Sequence, residues 1–222
     1  VSTSSEEQYL KIIYSLSIEQ SRELVPMREI GLRMSVSSGT VTSMIKNLDR
    51  QNFVKYVPQK GCSLTKAGRT VAITLLRRHR LIEEFLFKIL GYSRYSIHDE
   101  AETLEHVVSN YFIDRIDEML NYPLRDPHGD PIPNKSGEIS EQIGVPLPTM
   151  EIGVKGVIQR LHQIDCSVMK YLEEHAVVPG SNIVVASKDA AVEIITLSVD
   201  DRNAVSLSFN IAKNIHVLLE EK

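Results

Sequence analysis

Apolar positions recur with helical spacing through the first 120 residues and give way to alternation beyond residue 150. Between residues 6 and 18, Tyr9, Ile12, Ile13 and Leu16 return every few places, the spacing of one buried helix face. The stretch VPMREIGLRMSVSSGTVTSMIKNLDRQNFV holds two shorter helical patterns. Pro26 opens the first, because a ring-locked φ suits a helix start and the missing N–H has no partner there anyway. SVS interrupts the pattern, and Ser37 or Ser38 caps a second helix over 38–50 that turns Val41, Ile45 and Leu48 inward. Two short helices joined by a tight turn read as helix-turn-helix. FVKYVPQKGCSLT follows as two short strands around a Pro/Lys/Gly turn, so the pattern predicts a winged helix.

KAGRTVAITLLRRHRLIEEFLFKILG predicts a long helix closed by Gly91. SIHDEAETLEHVVSNYFIDRIDEML predicts another, running as one helix over 98–120 with Leu104, Val108, Tyr111, Phe112, Ile116 and Leu120 as its stripe. That stripe exceeds what a small helical pair would bury. A twofold dimer through this helix is the expected use, with packing inside one subunit as the alternative. Six of the nine prolines fall between 121 and 148, which reads as a linker and not a domain interior. Beyond it, EIGVKGVIQRL, SNIVVAS, AVEIITLSV and AVSLSF alternate as strands, with CSVMKYLEEHAV as a helix between the first two. The rear is therefore a small, mostly β domain, a partly open barrel. The fold class is α+β, with expected divisions at 1–73, 74–140, 141–150 (linker) and 151–222.

Charge sharpens this picture. The chain of 222 residues has a net charge of −4, yet residues 1–80 carry 13 Lys/Arg against 6 Asp/Glu and the remainder 12 against 23. A basic front suggests a polyanionic partner, double-stranded DNA for a winged helix, although uneven surface charge without a partner has the same appearance. No apolar run approaches the ~18 residues of a membrane span. The opening VSTSSEEQYLKII lacks the basic-then-apolar order of a secretory signal. Cys62 and Cys166 lie far apart and offer neither C-x-x-C spacing nor a disulfide framework, so a reducing cytoplasm is expected.

The chemistry is concentrated in HDEAETLEHV. On a helix, His98, Glu102, Glu105 and His106 share one face, and His79 and Glu83 repeat the signal one turn apart on the preceding helix. Solvated i,i+4 pairs account for any one couple. Six together suit a borderline divalent metal such as Mn²⁺, Fe²⁺, Co²⁺, Ni²⁺ or Zn²⁺, and a thiolate-free, oxygen-heavy set leans toward manganese. A two-metal enzyme is the rival. A ferritin-like site needs Glu-x-x-His, but residue 103 is threonine, and H-E-x-x-H is absent from the sequence. Behind a winged helix, the metal is expected to be an effector and the protein not an enzyme.

With these parts in this order, the chain resembles the diphtheria toxin repressor family of metal-dependent regulators. The resemblance is close over 6–133, through RRHRLIEEFL, HDEAETLEHVVS and DPHGDPIP. The rear resembles the family's SH3-like third domain more loosely, by strand order and VVPGSNI. The resemblance implies two metal sites per subunit. The ancillary one would use His79, Glu83 and His98, with Gln163 from the third domain where Arg160 replaces a second donor and His162 lies close by. The primary one would use Glu102, Glu105 and His106 with Gln8 of the first helix. Glutamate at 102 marks the manganese-responsive branch, whereas cysteine marks the iron-responsive one. Gln8 departs from that branch's aspartate, and Glu7 beside it would substitute only through a shift of helix register.

The fold also implies that helix 38–50 enters the major groove. Ser37, Ser38, Gly39, Thr40, Thr42 and Ser43 form its leading face, with Arg28, Arg33, Lys46, Arg50 and Lys60 as phosphate partners. Small side chains without an Arg–guanine pair imply modest base readout and a large share for shape. The expected protein is a homodimeric repressor activated by Mn²⁺, alternatively by Fe²⁺ or Zn²⁺. It would bind a palindromic operator of metal-uptake genes.

Overall fold

The computed structural model describes residues 3–139, 144–200 and 204–220. The backbone forms two compact units, each described by itself. One comprises residues up to 79 with 105–107 and 133–138; the other comprises 80–104, 108–132 and residues from 139 onward.

The first unit opens with α1 (Ser4–Glu19), started by a capping box in which Thr3 and Glu6 satisfy each other's backbone N–H groups. Glu6 does more than cap. Its Oε1 also accepts from Asn47 Nδ2 at 2.7 Å and Gln51 Nε2 at 2.5 Å, tying α1 to the end of α3 (Ser38–Arg50). Pro26 caps α2 (Met27–Met34) from the position before its first residue, and Ser35 turns the chain in left-handed backbone at φ 53°. Ser37 is the cap of α3, its side chain accepting from Thr40 N. Ile30, Val41, Ile45 and Leu48 are fully buried, as their spacing requires. The wing pairs β1 (Val54–Val57) antiparallel with β2 (Gly61–Leu64). Gly61 is obligatory there: its φ is +146°, and a Cβ would lie 2.4 Å from the Val25 carbonyl oxygen. The helix α4 (Lys66–Lys88) follows, and Gly91 adopts φ +72° three residues past its end.

The second unit holds two subcores. Leu81, Ile82 and Leu86 of α4 pack with Ile97 and Ala101 of α5 (Ile97–Glu105), and with Ile113 and Ile116 of α6 (Asn110–Met119). The helix expected over 98–120 is thus two helices. Ser109 is the reason: its side chain accepts from Phe112 N and starts α6 afresh, leaving His106 in the turn between. The expected stripe divides accordingly. Ile116 and Leu120 join the core, while Tyr111 and Phe112 face outward.

The rear forms a six-stranded antiparallel sheet in the order β3-β8-β4-β5-β6-β7. Its strands are β3 (Val145–Pro146), β4 (Lys155–Leu161), β5 (Asn182–Asp189), β6 (Ile194–Val199), β7 (Ala204–Ser208) and β8 (Ile215–Leu219). The last strand, absent from the sequence expectation, lies between the first two. Helix α7 (Cys166–Glu174) adds Met169 and Leu172 to a core of Ile158, Ile183, Val185, Ile195, Leu197, Val205, Leu207 and Val217.

The proline-rich stretch after 121, expected to be a linker and not a domain interior, is in part interior, while residues 141–143 of the expected 141–150 linker lie outside the described residues. Residues 126, 127, 129 and 131–133 are buried. Asp126 Oδ1 accepts from the His128 and Asp130 N–H groups at 2.9 Å, folding DPHGD into a tight turn. This turn lies against β4. Leu161 N–H donates to His128 O at 2.8 Å, and a Cβ on Gly129 would meet Gln159 O at 1.9 Å. A register shift between Ile158 and Arg160 breaks the alternation of β4, and Arg160 pairs with Asp130. Among the described residues, no helix is long and apolar enough to cross a membrane.

Candidate metal centres and nucleic-acid interface

Glu105 ends α5 and is fully buried. A buried carboxylate is stable only when it is paired and hydrogen-bonded. Lys11 Nζ donates to Oε1 at 2.5 Å and His79 Nδ1 lies 2.6 Å from Oε2. His106 Nε2 stands 3.4 Å from Oε1, and its Nδ1 lies 2.8 Å from Glu7 Oε2. Burial opposes ionisation of Glu105, but the hydrogen bond and charge of His79, with those of Lys11, outweigh it. The carboxyl is held below its usual range. Arg78 NH1 donates to the Glu105 backbone oxygen at 3.3 Å, satisfying a carbonyl at the helix end.

The structure therefore brings His79, Glu105 and His106 together, with Glu7 and Lys11 one turn apart on α1. Glu7 reaches His106 from the regular helix α1. Gln8 is half-buried beside it, and Glu102 is half-buried one turn before Glu105 on α5.

Glu83, in the second unit, is buried on α4. Its Oε1 is 3.3 Å from His98 Nδ1 and its Oε2 is 3.7 Å from His128 Nδ1. Ligand atoms of Glu83, Asp126 and His128 all lie within 4.8 Å of one another. Bonds of roughly 2.0–2.2 Å to one ion leave donor atoms up to about 4.4 Å apart, so small shifts would make this a coordination shell. The mixed nitrogen and oxygen donors suit a borderline divalent ion. Burial opposes charging of His128, but Glu83 and Asp126 outweigh it and push its pKa up to about 9. Gln163 is exposed in left-handed backbone after β4, at φ 50°. Arg160 and His162 instead approach Asp130, His162 Nδ1 at 3.8 Å. Asp126 and His128 were not among the expected ligands, although both lie in DPHGDPIP. Lys11 was missed as well, and its i,i+4 relation to Glu7 was the available signal.

On the first unit, Arg28, Ser37, Ser38, Gly39, Thr40, Ser43, Lys46 and Lys60 are exposed and Thr42 is half-buried. Three hydroxyls of the leading face are already engaged, Thr40 Oγ1 among them at 2.9 Å from Ser37 Oγ. Ser37 Oγ accepts from Thr40 N at 3.2 Å, and Thr42 Oγ1 donates to Ser38 O at 2.8 Å. Arg33 is paired with Glu19 at 2.8 Å and Arg50 donates to Asn47 at 3.3 Å.

Residues 2–62 match the iron dependent repressor N-terminal DNA binding domain, and 65–134 match the iron dependent repressor metal binding and dimerisation domain. The HTH-type transcriptional regulator MntR of Oceanobacillus iheyensis is 36% identical over 120 residues, covering 54% of this chain and 80% of that protein. The chain belongs to the diphtheria toxin repressor family. Within that family, the diphtheria toxin repressor of Corynebacterium glutamicum is 38% identical over 134 residues, covering 60% of this chain and 57% of that protein. The chain thus spans little more than half the length of the curated diphtheria toxin repressors it matches. A solved manganese-dependent transcriptional repressor in complex with manganese superposes with TM-score 0.87 at 33% identity, covering 96% of this chain and 99% of that one. Residues 145–219 match the FeoA domain, which assigns the rear sheet of this family member.

Proposed function

We propose that this diphtheria toxin repressor family member is a cytoplasmic, metal-activated transcriptional repressor. It acts as a homodimer on a palindromic operator, controls metal-uptake genes, and has Mn²⁺ as its effector. One observation carries the reading: the buried Glu105 and the adjacent His106 are bonded to Lys11 and Glu7 of α1, the helix that Glu6 ties to α3. Any change in the Glu105 cluster is therefore felt by the helix that would read DNA.

The proposed primary site consists of Glu102, Glu105 and His106 with a donor from α1, where Glu7 or Gln8 is available. The second consists of Glu83 with His98 and His79, or with Asp126 and His128, and Gln163 is the further candidate donor from the rear domain. A bound divalent ion supplies two positive charges at a point where carboxylates converge. Glu105 and His106 then hold α1 in one position, and metal and operator favour each other reciprocally. The DNA-facing residues are Arg28, Ser37, Ser38, Gly39, Thr40, Thr42, Ser43, Lys46 and Lys60, grading from base edges to phosphates. The homodimer would bury Tyr111, Phe112 and Met119, exposed on the outer side of α6.

Manganese is supported by a donor set without thiolate and by the manganese-bound neighbour. An iron-responsive regulator is the second reading, favoured by the names of the matching repressor domains. The test is operator binding titrated with Mn²⁺, Fe²⁺ and Zn²⁺. Activation at the lowest free concentration by Mn²⁺ is expected, corrected for the ordinary affinity order. Operator binding indifferent to all three would refute the reading.

A further inference from the structure

Lys11 stands out in the Glu105 cluster because it is a buried cation among groups assigned to hold a cation. Lysine is rarely buried unless paired. Here Nζ lies 2.5 Å from Glu105 Oε1, with Lys11 8% exposed and Glu105 0%. The same oxygen faces His106 Nε2 at 3.4 Å, while Oε2 is taken by His79 Nδ1 at 2.6 Å. Oε1 is therefore the oxygen that an ion shared by Glu105 and His106 has to use, and the ammonium sits on it.

We propose that Lys11 is an internal competitor for the primary site and sets the concentration at which the regulator responds to metal. The inference rests on the reading of Glu105 and His106 as ligands. Two consequences follow from charge alone. Ammonium and divalent ion cannot both sit against Oε1, because like charges a few ångströms apart repel strongly where water is scarce. Metal entry thus requires the Lys11–Glu105 bond to break, and the strength of that bond is subtracted from metal affinity. The competition also filters ions, since one that binds carboxylate weakly cannot displace the ammonium. Lys11 belongs to α1, so its displacement is also a movement on the helix that Glu6 links to α3.

The test measures Mn²⁺ binding to the full chain by electron paramagnetic resonance of the free ion, together with thermal stability in chelator and in excess Mn²⁺. Lys11→Met removes the competing charge and keeps the length of the side chain. Mn²⁺ should bind it about 10- to 100-fold more tightly, the equivalent of one charge-assisted hydrogen bond. Its stability should fall in chelator and recover in Mn²⁺. Lys11→Arg, which keeps the charge, should bind no more tightly than the parent. If Lys11→Met does not fold in chelator, Lys11→Gln, which retains a neutral donor toward Glu105, carries the same expectation. Equal or weaker Mn²⁺ binding by the neutral variants overturns the proposal. Glu105→Gln separates this from failure of the site itself. Lost binding in Glu105→Gln without tightening in Lys11→Met removes only the competitor, whereas unchanged binding in Glu105→Gln removes the site and the competitor together.

Discussion

Arg160→Met should loosen the rear sheet from the DPHGD turn. The Arg160 guanidinium pairs with Asp130, and the two side chains are 13% and 16% exposed. Breaking a buried pair from one side costs about 3–5 kcal/mol, because the remaining charge loses its partner. Two nearby groups reduce that figure. Arg80 NH2 stands 3.6 Å from Asp130 Oδ1 and His162 Nδ1 3.8 Å, so the carboxylate keeps some compensation. A loss of about 2–3 kcal/mol is the resulting expectation, or a rise of roughly 30- to 150-fold in the undocked population. The Leu161 N–H, which donates to His128 O across this contact, reports it directly. Hydrogen exchange at Leu161 should accelerate by that factor while Leu197, inside the sheet, keeps its protection. Arg160→Lys should give an intermediate result, since a point charge replaces the planar fork. Leu161 protection unchanged within threefold would refute the reasoning, and would show that backbone contacts at Gly129 hold the turn alone.

Three further outcomes are expected. Glu6→Ala removes a capping box and the bonds to Asn47 and Gln51, so it should cost about 1–3 kcal/mol in urea denaturation; a loss below the scatter of the measurement would mean that α1 and α3 are held by packing alone. His128 has a folded pKa raised to about 9, so its stabilising share is full below about pH 6.5 and is lost as pH rises through 9. His128→Gln should flatten the fall in chelator-stripped thermal stability over that interval, and an unchanged slope would reject the assignment. Glu102→Cys should shift operator activation toward Fe²⁺ or Co²⁺, because thiolate is the softer ligand. An unaltered metal ranking would place Glu102 outside the primary site.

Much of the first unit was legible in the chain. Tyr9, Ile13 and Leu16, then Val41, Ile45 and Leu48, are spaced for one helix face each, and short-range caps at Thr3 and Ser37 set where those helices begin. The pairing of β1 with β2 followed from alternation around a turn. Periodicity alone did not reveal the break after Glu105, because apolar positions continue in phase across 104–120 while a capping serine interrupts the backbone. The short pairing of β3 with β8 was equally hidden, since a two-residue strand has no period.

Which residue types are candidates for metal chemistry was written in HDEAETLEHV, because helical spacing is a local property and places His98, Glu102 and Glu105 on one helix, although His106 falls in the turn that follows it. Which atoms meet was decided only in three dimensions. Glu7 reaches His106, Lys11 occupies Glu105, and Asp126 and His128 stand beside Glu83. Each of these contacts joins residues tens of positions apart or more, and no spacing rule reaches that far. The same holds for the proline-rich stretch. Its composition announces a chain that cannot be helical, but whether such a chain is exposed or buried depends on what packs against it, here β4 with Arg160 over Asp130.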